Sequence, residues 1–210
     1  LGDSLALLFT HVVIFGWVME KILVFGGAGY IGSHTCKALA AKGYHPVVFD
    51  NLSEGHREFV KWGEFIEADI LDEIAVDAAF HAVKPKAAIH FAALAYVGES
   101  VTDPSKYYRT NVVGSLNIAE GARRSGGIPI VFSSSCATYG SPSSLPITET
   151  AAQTPINPYG RSKLMAEQIL SDYDRAYGLR HVCLRYFNAC GDDPDLQVGE
   201  RHRVETHIIP

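Results

Sequence analysis

The stretch Lys21-Ile22-Leu23-Val24-Phe25-Gly26-Gly27-Ala28-Gly29-Tyr30-Ile31-Gly32 runs from an apolar segment straight into a glycine cluster. Residues 21–25 suit a strand buried on both faces, and residues 31–42 suit a helix stopped by Gly43. The glycines satisfy G-x-G-x-x-G through Gly27, Gly29 and Gly32, and G-x-x-G-x-x-G through Gly26, Gly29 and Gly32. A turn of this kind lets backbone N–H groups approach a pyrophosphate with no side chain between them. The helix that follows presents its positive N-terminus to the same anion.

Working outward, a second apolar run at 45–49 ends at Asp50, 18 residues beyond Gly32. A strand before the glycines, a helix after them and an acid at this distance distinguish a dinucleotide fingerprint from an ordinary tight turn. Asp50 also selects the cofactor. Its carboxylate can accept both hydroxyls of a ribose and would repel a 2′-phosphate, and Arg57 is seven residues away. NAD is therefore expected. Asp69 and Ile70 follow a third apolar run and could hold the adenine. Asp69 could equally cap a helix beginning near Leu71, and the two roles are compatible.

Apolar runs and helical stretches alternate along the rest of the chain. Strands are expected at 21–25, 45–49, 65–68, 87–91, 128–132 and 180–186. Helices are expected at 31–42, 74–83, 105–124 and 159–177, with a Pro/Ser/Thr-rich loop at 141–158. This rhythm predicts an α/β fold of Rossmann type, a doubly wound parallel sheet in the order 3-2-1-4-5-6 with ligands at the carboxyl ends of its strands. The unit is expected to span residues 19–191, and residues 192–210 to begin a further lobe that is largely missing.

The 210 residues are 47% hydrophobic and 20% charged, with a formal net charge of −5. No basic run marks a nucleic-acid or membrane surface, and no nucleic-acid partner is expected. Cys36, Cys136, Cys183 and Cys190 fit no zinc spacing, so no metal is expected; they read as reduced thiols of a cytoplasmic protein. The apolar segment Leu5–Val18 is too short to cross a bilayer comfortably and has no basic residue before it. Residues 1–18 are expected to be an extension outside the fold, with a membrane anchor as the alternative reading.

Tyr159-Gly160-Arg161-Ser162-Lys163 places a phenol and an ammonium at i and i+4, on one helix face. A tyrosine titrating near its reference value of about 10 is a weak base at neutral pH, and a neighbouring cation would lower that value. Such a pair is common on helix surfaces. Here, however, Ser133-Ser134-Ser135 follows the fifth apolar run, where a ligand site should open. A serine hydroxyl there can steady an oxygen from which the tyrosine takes a proton.

These residues carry a family resemblance. GGAGYIGS at 26–33, FDNLS at 49–53, ADI at 68–70, HFAALAYVGES at 90–100, SSSCATYG at 133–140, NPYGRSK at 157–163, LRYFNACG at 184–191 and ETHIIP at 205–210 resemble the extended short-chain dehydrogenases/reductases. Within that superfamily they look most like the UDP-glucose 4-epimerases. The resemblance implies Ser135, Tyr159 and Lys163 as the catalytic set. It implies that Gly26, Gly29, Tyr30, Ile31, Gly32, Asp50, Asn51, Asp69, Ile70, Phe91, Ala92, Ala93, Asn111, Tyr159, Lys163 and Phe187 hold NAD, with Asn111 supporting from its helix. Asn188 and His207, with Ser135 and Tyr159, would meet the UDP-sugar. Ala95 stands where some relatives carry a lysine near the nicotinamide.

The reaction so implied is reversible inversion at carbon 4 of a UDP-hexose through a 4-keto sugar, with NAD regenerated each cycle. A UDP-xylose/UDP-arabinose epimerase, a 4,6-dehydratase and a non-catalytic NAD-binding protein are the rival readings. The dehydratases resembled carry Asp-Glu where this chain has Cys136-Ala137, and a mere sensor has no need of Ser135, Tyr159 and Lys163. The resemblance further implies a homodimer through 105–124 and 159–177, and a fragment that is inactive or unstable without its substrate lobe.

Overall fold

The computed structural model describes residues 19–201. The extension at 1–18 and residues 202–210, including His207, lie outside the described residues. Six strands, β1 (Lys21–Phe25), β2 (His45–Asp50), β3 (Glu64–Glu67), β4 (Ala87–His90), β5 (Ile130–Ser135) and β6 (His181–Tyr186), all pair in parallel. Their order is β3-β2-β1-β4-β5-β6, the doubly wound order read from the sequence. The helices are α1 (Tyr30–Ala41), α2 (Glu73–Val83), α3 (Val97–Thr102), α4 (Pro104–Tyr107), α5 (Gly114–Arg124) and α6 (Pro158–Tyr177).

Alternation along each apolar run feeds two cores. Leu23, Phe25, Val47 and Phe49 point to the face covered by α2, α5 and α6, where they pack with Phe80, Ile118, Ala166 and Leu170. Ile22, Val24 and Val48 point to the other face and meet Cys36 and Leu39 of α1. A parallel strand clothed on both sides needs apolar residues at every position, which is why these runs are continuous. The strand order reverses between β1 and β4, and the crevice at their carboxyl ends is where such folds bind ligands.

Several boundaries differ from those expected. β5 starts at Ile130 instead of 128, because Pro129 has no N–H to give; the Ile130 N–H donates to the Arg180 carbonyl. The strand consequently runs through all three serines. The helix expected at 105–124 is three segments, with Tyr108–Val113 wound as a π-helix between α4 and α5. The short α3 was not anticipated at all. Helix α2 is capped by Asp72, whose carboxylate accepts from the Ala75 N–H at 3.0 Å, so Asp69 is not its cap.

Candidate active site

The glycine turn joins β1 to α1 at the crevice. Gly26 has a φ of +76°, and a Cβ there would collide with the backbone of Ala92; one on Gly32 would overlap the Gly26 carbonyl. These two glycines are required by the protein's own packing. Gly29 is different. Its backbone is ordinary, and a Cβ on it would meet, among the described residues, only the Gly26 oxygen at 3.5 Å. Nothing in the fold needs a glycine there, so what the missing side chain leaves clear is the approach to the N-terminus of α1. The cradle fits a pyrophosphate. Gly29→Ala is expected to melt within a few degrees of the parent while losing about tenfold or more in NAD affinity by titration. Gly32→Ala should instead lose the fold, and equal behaviour of the two would contradict the assignment.

Beside the turn, Asp50 is buried. Its carboxylate accepts from the Ala28 N–H at 3.0 Å and the Leu52 N–H at 2.9 Å. Burial pushes this carboxyl up, and the two amides oppose it. Each oxygen keeps a second lone pair for a ribose hydroxyl. Asn51 donates to Asp69 at 2.9 Å, and Asp69 also accepts from the Leu71 N–H at 2.8 Å. Ile70 is buried next to this pair. Tyr30 and Ile31 open α1; Phe91, Ala92 and Ala93 leave β4 across the crevice, with the Phe91 and Ala92 N–H groups both on the Phe25 carbonyl.

Asn111, on the π-helical turn, is spent on the protein. Its amide donates to the Leu94 carbonyl at 3.0 Å and to the Ser162 hydroxyl at 2.9 Å, and its oxygen accepts from the Leu94 N–H. With both donors engaged it braces the loop after β4 against α6, the supporting part of its expected role. Ser162 in turn donates to the carbonyl of Tyr159. Behind this brace, His90 is fully buried and its Nε2 pairs with Ser115 at 2.9 Å. Burial, reinforced by the charge of Lys163, lowers its pKa to about 3, so it stays neutral.

Strand β5 and helix α6 bring the expected catalytic residues together. Asn157 caps α6 by accepting from the Gly160 N–H at 2.8 Å, which fixes the first turn carrying Tyr159. The Ser135 hydroxyl accepts from the Ala137 N–H at 3.1 Å and lies close enough to the Tyr159 phenol to act on its pKa. Lys163 is 3% exposed; its ammonium donates to the Ser133 carbonyl at 2.8 Å and lies 6.0 Å from the Tyr159 ring centre.

The electrostatics correct one expectation. Burial raises the Tyr159 pKa above its ordinary value, the Ser135 hydroxyl opposes this, and Cys136 adds to the rise. The ammonium of Lys163 brings no resolved relief, because it points at the strand carbonyl and not at the phenol. Lys163 itself is lowered to about 8 by burial, which leaves it mostly protonated at neutral pH.

One member of the site escaped the sequence reading. Glu167, 7% exposed, receives Arg185 through two nitrogens at 3.0 and 2.7 Å, the Ser134 hydroxyl, and Gln153 at 3.0 Å. Burial pushes its carboxyl up, but Arg185, Ser134 and Gln153 outweigh burial and hold it below the usual range. It ties β5, β6 and the loop before α6 to α6 itself. Its spacing of four from Lys163 and eight from Tyr159 was the available signal. Phe187 and Asn188 follow β6 and are exposed, Phe187 by 60%.

The family described as NAD dependent epimerase/dehydratase matches residues 22–210. The UDP-glucose 4-epimerase of Rhizobium leguminosarum bv. trifolii is 57% identical over 191 residues, covering 91% of this chain and 58% of the relative. The crystal structure of the Brucella ovis UDP-glucose 4-epimerase with NAD superposes with a TM-score of 0.89 at 58% identity, over 90% of this chain and 58% of that one. The Thermotoga maritima enzyme solved with UDP-glucose gives 0.80 at 38% identity, over 86% and 60%. The chain thus spans a little under three-fifths of the curated relative's length.

Proposed function

The chain belongs to the NAD dependent epimerase/dehydratase family, and from that premise we propose that it supplies the NAD-binding and catalytic part of a UDP-glucose 4-epimerase. The observation that carries this reading is the meeting of Ser135, Tyr159 and Lys163 beside a phosphate cradle kept clear at Gly29. NAD, when bound, supplies a hydride acceptor and donor at carbon 4 of the sugar.

The chain's own residues divide the remaining tasks. Tyr159 takes and returns the proton of the 4-hydroxyl, and Ser135 steadies that oxygen. Lys163, released from the Ser133 carbonyl, holds the nicotinamide ribose. Asp50 accepts the adenosine ribose, and Gly26, Gly29 and Gly32 admit the pyrophosphate. Tyr30, Ile31, Asn51, Asp69, Ile70, Phe91, Ala92, Ala93 and Phe187 line the cofactor, Asn111 supports the wall, and Asn188 and His207 face the UDP-sugar. Cys136 cannot serve as the carboxylic acid that a dehydratase needs there, which favours epimerisation.

Residues 19–191 form the cofactor-binding unit in this reading, and residues 192–210 begin the substrate lobe. We assign a homodimer to the faces of residues 105–124 and of α6. An open groove of about 740 Å³ there is lined by Leu71, Ser105, Tyr108, Arg109, Val112, Val113 and Met165, mostly apolar surface of the kind a partner covers. Four unpaired cysteines suit the cytoplasm. Among the described residues no helix is long and apolar enough to cross a membrane.

The test joins this chain to the remaining sequence of its Rhizobium relative and supplies UDP-galactose. UDP-glucose is expected to form without added NAD. Residues 19–210 alone should give no turnover. Failure of the joined protein to convert the sugar, with NAD bound, would leave only a cofactor-binding role.

A further inference from the structure

The segment after β6 crosses the molecule. β6 is the last strand of the sheet and β1 lies three strands away, a distance of about 14 Å at ordinary strand spacing. Yet the Tyr30 hydroxyl, at the start of α1 beside β1, donates to the carbonyl of Gly191. Gly191 is five residue steps beyond Tyr186, and five steps reach about 17 Å fully extended. The segment, met part of the way by the Tyr30 side chain, therefore runs from the carboxyl end of β6 toward that of β1, on the side of the sheet where the crevice opens.

Beyond Gly191 the segment is fastened down on the far side. Lys37 donates to both Asp193 and Asp195, and Asp193 is only 2% exposed. Tyr30, His34 and Lys37 fall at i, i+4 and i+7, one face of α1, and the Tyr30 and His34 rings touch edge to face at 5.2 Å. Further on, Lys61 donates to the Gln197 carbonyl at 2.7 Å, His56 contacts the Arg201 carbonyl at 2.9 Å, and Arg201 pairs with Glu58. These partners lie on α1, from its first residue to about two turns along it, or on the loop after β2.

We propose that Lys37, with Tyr30, latches residues 187–201 across the mouth of the crevice and so sets how long NAD stays bound. The inference rests on the cofactor placement given under the proposed function. Lys37 is a positioning residue in it: it reaches the cofactor only through the segment that also carries Phe187 and Asn188. Asp193 is the member that matters most, since burial spares its pairing with Lys37 from solvent, whereas Asp195 is 66% exposed.

The test follows release from the 210-residue chain preloaded with NADH and chased with excess NAD, read by NADH fluorescence. Lys37→Ala should release about tenfold faster than the parent, and Lys37→Arg within about twofold of it. Asp193→Asn should speed release as well, which covers a failure of Lys37→Ala to fold. Equal release from the parent, Lys37→Ala and Asp193→Asn at matched melting temperatures would overturn the latch alone. A parent chain that retains no NADH at all would overturn the cofactor reading, and the latch with it.

Discussion

Tyr159→Phe is expected to lower turnover of UDP-galactose by about 10²–10⁴-fold in the chain joined to its relative's remaining sequence. The loss should fall on kcat, with the KM and the NAD affinity nearly unchanged, since phenylalanine keeps the ring and removes only the hydroxyl. The phenol, carried by the first turn of α6 near Ser135 at the end of β5, has its pKa raised by burial. A group so placed does little for the resting protein except wait for a charge to lower its pKa. A drop of less than about tenfold would mean that another residue moves the proton.

Arg185→Ala should be strongly destabilising although the residue lies outside the catalytic set. It would strand the buried Glu167 carboxylate with Ser134 and Gln153 as its remaining partners. Breaking one side of a buried ion pair costs about 3–5 kcal/mol. At the lower end, suited to the partial exposure of Arg185, the melting midpoint of a chain this size falls by about 6–12 °C. Replacing both partners, Arg185→Met with Glu167→Leu, should recover most of that loss, because no buried charge is then left unpaired. If the double variant melts as low as the single one, the pair contributes something other than mutual neutralisation. Thermal unfolding followed by circular dichroism separates the cases.

The sheet and the coming together of Ser135, Tyr159 and Lys163 were legible in the sequence because each signal is local. Continuous apolar runs can only be two-faced strands, the glycine spacing defines its own turn, and Tyr159 and Lys163 share a helix face by their separation alone. Asp50 was legible because a fixed strand–turn–helix unit sets its distance from the glycines. What escaped depends on partners far along the chain. The brace between Glu167 and Arg185 spans 18 residues, and the contact of Lys37 with Asp193 spans 156. Neither leaves a pattern in its own neighbourhood. The π-helical turn at Tyr108–Val113 was hidden for a related reason: it is the tertiary pairing of Asn111 with Leu94 and Ser162 that accompanies the altered winding. The direction of the Tyr159 shift was misjudged because spacing says that Lys163 is near, not where its ammonium points.

The most direct test is a crystal structure of the chain with NAD bound, measuring where the Tyr159 hydroxyl lies relative to the nicotinamide ring. The pyrophosphate should rest over Gly29, the adenosine ribose on Asp50, and the hydroxyls of Ser135 and Tyr159 should both face the nicotinamide with Lys163 on its ribose. A dinucleotide seated elsewhere, or a Tyr159 ring turned away from the pyridine, would contradict the assignment of this site.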